Sequence, residues 1–187
     1  FVSSVMYDPK DGLLFVGTEG GLAVMDVASQ TFLPLNAANS ALAQISEIGC
    51  LFKDTKGYIW AGTRNGLYRF SSRILNQPYN AIDPDSQVQF FNSSAQKQTE
   101  GSLPGGYIIS LFEDRDGVMW IGTYGDGLLK CTVNGNGAFS FKQYTQNNGL
   151  SNNVVYAIQQ DKGGMLWLST DNGLSKFDAA NDQFDNY

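Results

Sequence analysis

The sequence predicts an all-β fold made of four β-propeller blades, each a four-stranded antiparallel sheet. The first observation is an internal repeat, in which an Asp, a turn closed by Gly, a strand ending in Thr and a Gly-Leu pair recur in the same order. The four copies begin at Asp8, Asp54, Asp114 and Asp161. A repeat of this kind decides the architecture before any single residue is considered.

The second observation is the period of the repeat. The equivalent threonines are separated by 45, 60 and 47 residues, at Thr18, Thr63, Thr123 and Thr170. Periods near 45 with several strands per unit are typical of propeller blades rather than helical solenoids. Composition is the third observation, because 21 glycines and a charged fraction of only 16% suit short strands joined by tight turns.

The copies predict blades at approximately residues 1–37, 38–93, 94–145 and 146–187. The 60-residue interval is the same unit with an insertion from Ser71 to Gln87, between the third and fourth strands of the second blade. The chain runs from a first strand to a fourth strand and leaves no segment to complete a shared blade. We therefore expect the four blades to be a fragment of a larger propeller.

Several repeated positions are expected to be structural. The Asp suits the first position of the turn because its carboxylate can accept a backbone N–H two residues later. The second strand carries one aromatic residue per copy, for which packing between blades is the simpler interpretation and a sugar-stacking platform the alternative. These residues are Phe15, Trp60, Trp120 and Trp167. Cys50 holds a small-residue position of the first strand and Cys131 a large apolar position of the third, so no disulfide is expected between them.

The residue content excludes several classes of function. The chain has no His, which removes Ser-His-Asp and Cys-His nucleophiles and His-dependent metal centres. Asp114 to Gly117 resembles the start of a calcium loop but lacks the other oxygen ligands. We predict no catalytic residue, no metal and no cofactor. The net charge of −6 argues against nucleic acid as a partner, and the absence of a long apolar run predicts no membrane contact by this segment.

Residues that depart from the repeat are the best candidates for ligand binding. Tyr107 and Tyr156 lie around the start of a first strand, where the other copies have Gly49 and Ser3. Asn152 and Asn153 precede the same strand of the last blade. Arg64 and Tyr124 vary in the connection between the second and third strands, which we expect on the opposite side of the blade. Tyrosines with amides suit a neutral polar ligand such as a glycan, and ordinary exposed loops are the alternative.

The repeat resembles that of the two-component regulator propeller family. The resemblance is carried by the segment from Leu111 to Thr123, which the Gly127-Leu128 pair follows, and by the segment from Ala157 to Phe177, which contains the Gly173-Leu174 pair. The segment from Asn148 to Val154, which leads into a first strand, also resembles the family's pattern. The first copy departs most, with Phe15 in place of Trp and an extra residue between Asp8 and Gly12.

The resemblance implies a periplasmic or extracellular ligand-sensing segment of a hybrid two-component sensor whose kinase lies elsewhere in the parent protein. The implied ligand is an oligosaccharide, and the implied neighbours are the remaining propeller blades or a second copy of the chain. One alternative is a protein-interaction or dimerisation scaffold without a small ligand. Another is a polysaccharide-active propeller enzyme, which would need carboxylates at glycosidase spacing near one channel mouth.

Overall fold

The computed structural model describes residues 1–35, 40–75, 88–92, 102–135 and 137–187, which form four four-stranded antiparallel sheets. In each sheet, neighbouring strands are consecutive in the chain. The predicted all-β class and the four propeller blades are confirmed. The chain divides into two compact units, Phe1–Phe90 and Phe91–Tyr187. Residues 76–87 of the predicted insertion, and the predicted blade boundaries near residues 37 and 93, lie outside the described residues.

The first unit carries blades one and two, except for the last two residues of the fourth strand of blade two, which fall in the second unit. Blade one comprises β1 (Val2–Asp8), β2 (Leu13–Thr18), β3 (Gly21–Asp26) and β4 (Thr31–Phe32). The short helix α1 (Ser40–Ala43) follows it. Blade two comprises β5 (Ile48–Lys53), β6 (Tyr58–Thr63), β7 (Gly66–Ser71) and β8 (Gln89–Asn92), with a 3-10 turn at Ser72–Leu75 after β7.

The second unit carries blades three and four. Blade three comprises β9 (Ile108–Glu113), β10 (Met119–Thr123), β11 (Leu128–Val133) and β12 (Phe139–Tyr144). A 3-10 turn at Gln146–Asn148, capped by Thr145, connects it to the last blade. Blade four comprises β13 (Val155–Gln160), β14 (Leu166–Thr170), β15 (Gly173–Asp178) and β16 (Gln183–Asn186).

The Asp that begins each repeat caps the first turn, as predicted. In blade three, Oδ1 of Asp114 accepts the N–H groups of Asp116 at 3.0 Å and of Val118 at 2.9 Å. Gly117 closes this turn with φ of 76°, in the left-handed region that favours glycine. The longer turn of blade one keeps the same cap, because Lys10 N–H donates to Oδ1 of Asp8 at 3.1 Å.

The second carboxylate oxygen binds the repeated tryptophan in three blades. Indole Nε1 donates to Oδ2 of the turn Asp at 2.8, 2.7 and 2.9 Å in blades two, three and four, in the pairs Trp60–Asp54, Trp120–Asp114 and Trp167–Asp161. One carboxylate therefore ties the turn to the middle of the second strand. The indole of Trp167, together with the amides of Met165 and Gly163, holds the pKa of Asp161 below its usual value.

Each of these tryptophans also pairs across the sheet with a cation. Trp60 is opposite Arg69, Trp120 opposite Lys130 and Trp167 opposite Lys176, and the cations lie 5.4, 5.4 and 5.8 Å from the ring centroids. Distances in this range allow cation–π attraction. The Asp, the Trp and the cation thus form a three-residue arrangement that recurs in blades two, three and four.

Blade one keeps the Asp but replaces the tryptophan and the cation of this arrangement. Phe15 has no N–H to donate, and its cross-strand partner is Val24 rather than a cation. The carboxylate of Asp8 is fully buried and instead forms an ion pair with Lys53 of blade two at 2.5 Å. The charge that an indole stabilises in the other blades is stabilised here by a lysine from the neighbouring blade.

Blades pack in the same orientation within each unit. We call the face that carries the apolar residues of the first strand the leading face, and the face with the aromatic residue of the second strand the trailing face. In the second unit, the trailing face of blade three packs on the leading face of blade four. Trp120, which is fully buried, meets Phe177 edge-on at 5.7 Å, and Tyr144 meets Phe177 at 4.8 Å. The prediction that the tryptophans pack between blades is confirmed for Trp120.

Small residues allow the blades to approach at their inner strands. Ser110 Oγ of blade three donates to the carbonyl of Val155 in blade four at 3.0 Å. A Cβ atom at Gly122 would lie 2.5 Å from the same carbonyl oxygen, so no side chain fits there. In the first unit, Leu51 N–H donates to Ser4 Oγ at 3.0 Å, and Phe15 packs against Phe70 with ring centroids 6.4 Å apart.

Both cysteines are free thiols, as expected. Cys131 is buried on β11, where the repeat has a large apolar residue. Burial raises the pKa of the Cys50 thiol to about 12, so that its thiolate is not populated at neutral pH.

We predict that Asp114→Ala lowers the free energy of unfolding of the second unit by about 2 kcal/mol or more, because it leaves the indole N–H of a buried tryptophan and two turn amides without acceptors. Urea denaturation followed by circular dichroism measures this. The matched control is Asp116→Ala in the same turn, whose exposed side chain caps nothing and which we expect to change stability by less than about 0.5 kcal/mol. Equal effects of the two substitutions would contradict the structural role of Asp114.

Candidate functional site

The segment that leads into the first strand and the turn between the second and third strands lie at the same end of a blade. Thr123, the last residue of β10, pairs with Ile108, the first residue of β9. The prediction that Arg64 and Tyr124 lie on the opposite side from Tyr107 is therefore wrong. The reason is geometric, because the second strand of an antiparallel pair ends where the first begins.

Tyr107 and Tyr124 are direct neighbours at this end of blade three. Tyr124 N–H donates to the carbonyl of Tyr107 at 2.8 Å, and the two rings lie 5.5 Å apart at an angle of 41°. Tyr124 is 53% exposed, whereas Tyr107 is partly buried. The pair presents one accessible aromatic ring that is supported by another.

Blade two has an ion pair in the same two positions. Arg64 N–H donates to the carbonyl of Glu47 at 3.1 Å, which is the bond that links Tyr124 to Tyr107. The guanidinium of Arg64 lies 3.6 Å from the Glu47 carboxylate. The structure thus places Arg64 in the first unit with its own acidic partner, and the three tyrosines in the second unit. It also places Tyr107 in the position of Glu47, which corrects its alignment with Gly49 and Ser3.

Tyr156 does occupy the position of Gly49 and Ser3, and that position is a β-bulge. The register between β13 and β14 shifts between Val155 and Ala157, so Tyr156 is the extra residue. Its ring is 47% exposed, and its hydroxyl donates to Oδ1 of Asp171 at 2.8 Å. Bulges at strand ends commonly re-aim a side chain toward a binding site.

Asn152 and Asn153 hold the two blades of the second unit together at this end. The carbonyl of Asn153 accepts the N–H groups of Gly125 at 3.1 Å and Gly127 at 2.8 Å, and Val154 bridges to Tyr124. Oδ1 of Asn152 accepts Val154 N–H at 2.8 Å, and Oδ1 of Asn153 accepts Gln146 N–H at 2.8 Å. Both amide oxygens are thus engaged with backbone, and Nδ2 is the group that each could offer to a ligand.

These contacts gather three tyrosines and a carboxylate at one end of the second unit. We call this group, Tyr107, Tyr124, Tyr156 and Asp171, the tyrosine edge. The hydrogen bond to Asp171 raises the pKa of the Tyr156 hydroxyl above its usual value, and partial burial, the charge of Asp171 and the Tyr124 phenol add to the effect. Aromatic faces beside hydroxyl and carboxylate acceptors suit a ligand with C–H faces and many hydroxyl donors.

Asp171 is not among the site residues that the sequence predicts. It occupies the position in blade four that Tyr124 holds in blade three and Arg64 in blade two, each directly after the repeated Thr. That variability was the available signal. The sequence does not reveal the β-bulge that turns Tyr156 toward this position.

Two further searches bear on the chemistry of the described ranges. Among these residues, no group of three or more His, Cys, Asp or Glu side chains could hold a metal ion. Within the same ranges, no helix combines the length and the hydropathy needed to cross a membrane.

Known proteins share this sequence pattern and fold. Residues 102–125 and 149–172 match the family model described as two component regulator propeller. A histidine kinase of Formosa agariphila is 27% identical over 177 residues, which are 89% of this chain and 11% of that protein.

Two solved structures share the fold. The extracellular domain of a protein described as a hybrid two component system of Bacteroides thetaiotaomicron is 23% identical, with a TM-score of 0.50 over 99% of this chain and 29% of that one. PorZ, a surface component of the type-IX secretion system of Porphyromonas gingivalis, is 17% identical, with a TM-score of 0.68 over 100% of this chain and 27% of that one. The chain spans less than a third of each of these relatives.

The two segments matched by the family model include the whole tyrosine edge together with the first and second strands of blades three and four. They also contain the Asp–Trp pairs that the structure shows in both blades. The family model thus matches one segment of blade three and one segment of blade four.

Proposed function

We propose that this chain is part of the ligand-sensing propeller of a two-component sensor, on the outer side of the cytoplasmic membrane, and that it binds oligosaccharides at the tyrosine edge. The observation that carries the proposal is the clustering of Tyr107, Tyr124 and Tyr156 with Asp171 at positions that vary between blades. The histidine kinase and the extracellular domain among its relatives support the sensor role.

The chemistry of the edge favours a neutral sugar over other ligands. Pyranose rings present C–H faces that stack on exposed aromatic rings, and Tyr124 and Tyr156 are both about half exposed. Sugar hydroxyls donate to carboxylates, and Asp171 offers an acceptor next to Tyr156. A purely apolar ligand would leave the Tyr156–Asp171 pair unused, which makes it a poorer match.

A ligand at this edge contacts two blades at once. Tyr124 belongs to blade three and Tyr156 to blade four, and the backbone bonds from Gly125 and Gly127 to Asn153 join the two blades directly beneath. Binding that favours one spacing of the tyrosines therefore favours one packing of the blades. We propose this coupling as the first step of signal transmission toward a kinase elsewhere in the parent protein.

We predict that the Tyr124→Ala/Tyr156→Ala double variant binds its oligosaccharide at least tenfold more weakly, because each stacked ring contributes about 1 kcal/mol. Isothermal titration against neutral hexasaccharides of glucose, xylose, mannose and galactose measures this. The corresponding Phe double variant keeps both stacking faces and should lose less affinity.

The matched control is Tyr7→Ala, which removes a tyrosine that is 53% exposed in the first unit. We expect it to bind like the wild-type chain. Wild-type affinity in the Tyr124→Ala/Tyr156→Ala variant, or an equal loss in Tyr7→Ala, would refute the site.

The Tyr156–Asp171 pair gives a pH-dependent prediction. Because the hydrogen bond to Asp171 stabilises the neutral phenol, Tyr156 should ionise at a higher pH than an ordinary tyrosine. Asp171→Ala removes that bond and should lower the pKa of Tyr156 toward its usual value. The ultraviolet absorbance of tyrosinate, taken as the difference from a Tyr156→Phe chain, isolates this titration. Asp116→Ala is the control, and an unchanged Tyr156 titration in Asp171→Ala would contradict the pair.

A second candidate function, assembly through blade faces, has its own observation. Trp120, Leu128 and Tyr144 on the trailing face of blade three are 0%, 0% and 2% exposed. Their equivalents on blade four are Trp167, which is partly exposed, Leu174 at 44% and Tyr187 at 68%.

The leading face of blade one shows the same contrast. Val2 and Val5 are 55% and 57% exposed, whereas their equivalents in blade four, Val155 and Ile158, are 0% and 4% exposed. Exposed apolar faces of this kind mark interaction surfaces. We propose that such faces dock on each other, so that the isolated 187-residue chain associates with a second copy head to tail.

We predict that the chain self-associates with rising concentration in sedimentation velocity, and that Leu174→Glu weakens this association because it places a charge in the apolar contact. Asn147→Asp adds the same charge in the exposed turn between blades three and four, outside both faces, and should leave association unchanged. A wild-type chain that stays monomeric at the highest concentration would exclude assembly through these faces.

A further inference from the structure

The first unit contains a pocket of about 260 Å³ whose lining is basic. It lies where the turn between β1 and β2 meets the turn between β5 and β6 and the end of β7. We call it the basic pocket, and the side chains that define its charge are Lys10, Lys53, Lys56, Arg73 and Asp11. This is the blade end opposite the one that corresponds to the tyrosine edge, and neither the repeat nor the proposed function accounts for it.

The concentration of positive charge is unusual for this chain. Only 12 residues are Lys or Arg and the net charge is −6, yet four of those 12 line this pocket. Neighbouring cations repel each other, and this repulsion destabilises the folded chain unless anions lie close by.

The carboxylates of the pocket are already engaged. Asp11 accepts a 2.5 Å hydrogen bond from the hydroxyl of the buried Ser72, and Lys53 of the lining forms an ion pair with the buried Asp8. Lys10 and Lys56 stand exposed at the rim, and within the described ranges neither forms an ion pair. Lys10 and Lys56 thus line the pocket without an ion pair among the described residues, and Asp11 is the carboxylate of this lining.

Pocket size and chemistry limit the ligand. A volume of 260 Å³ is below the range of sites that enclose a drug-sized molecule, so it fits one charged group or one sugar residue rather than an extended chain. Ammonium groups form short charge-assisted hydrogen bonds with oxyanions. Lys10 and Lys56 come from equivalent turns of two adjacent blades, so an anion held between them bridges the blades.

We propose that the basic pocket binds an oxyanion, a sulfate, phosphate or carboxylate group, between Lys10 and Lys56. The anion is either free or carried by a sugar. The site is distinct from the tyrosine edge, since it lies in the other unit and binds an anionic group rather than a neutral sugar face.

The test is a titration of the 187-residue chain with inorganic sulfate, inorganic phosphate, acetate and glucuronate, with glucose as the uncharged reference. Amide chemical shifts from two-dimensional nuclear magnetic resonance report the position and the affinity. We expect saturable shifts at Lys10, Lys56 and Gly57 with at least one anion and none with glucose. Tighter binding of glucuronate than of acetate assigns the anion to a sugar, and equal binding assigns it to a free carboxylate.

The decisive variant is Lys10→Ala/Lys56→Ala, which should weaken anion binding at least tenfold while leaving the circular dichroism spectrum unchanged. Lys162→Ala/Lys176→Ala removes the same charge from blade four and should bind anions like the wild-type chain. The proposal is overturned if no anion saturates the wild-type pocket at millimolar concentration. Unchanged binding in Lys10→Ala/Lys56→Ala, or an equal loss in the control variant, overturns it as well.

Discussion

Each repeat depends on one carboxylate that acts at two places. In blade three, one oxygen of Asp114 caps the first turn and the other accepts the indole N–H of Trp120, which is buried against blade four. A buried indole N–H without an acceptor would cost free energy, and so would uncapped turn amides. The same side chain therefore sets the turn, orients the second strand and places the aromatic ring that the next blade packs on.

Blade one shows that what the fold requires is a partner for this carboxylate rather than a tryptophan. Phe15 packs against Phe70 but offers no donor, and Lys53 of blade two supplies the positive charge to Asp8. The buried charge is then compensated across the blade interface instead of within the blade. Removing Lys53 would leave Asp8 buried and unpaired, which is the costly half of a broken ion pair.

The scaffold leaves a few positions free to vary, and these positions carry the candidate sites. The residue after the repeated Thr is Arg64 in blade two, Tyr124 in blade three and Asp171 in blade four, and all three are exposed. In blades two and three its backbone N–H makes the same contact with the segment before the first strand, so the side chain can vary. An ion pair in one blade and an aromatic pair in the next thus share one backbone frame. The proposed anion site follows the same logic, since Lys10 and Lys56 lie in turns whose geometry the capping Asp already holds.

The sequence alone determined the four blades, the capping role of the repeated Asp and the burial of Trp120 and Cys131, because a repeat compares each position with itself in several copies. It also singled out Tyr107, Tyr124 and Tyr156 as departures from the repeat. Only the tertiary structure placed Tyr124 on the same side as Tyr107, revealed Asp171 as the partner of Tyr156, and paired Arg64 with Glu47. Those relations depend on which strand ends are adjacent and on a one-residue bulge, and a bulge changes the direction of a side chain without changing the spacing of residues in the chain.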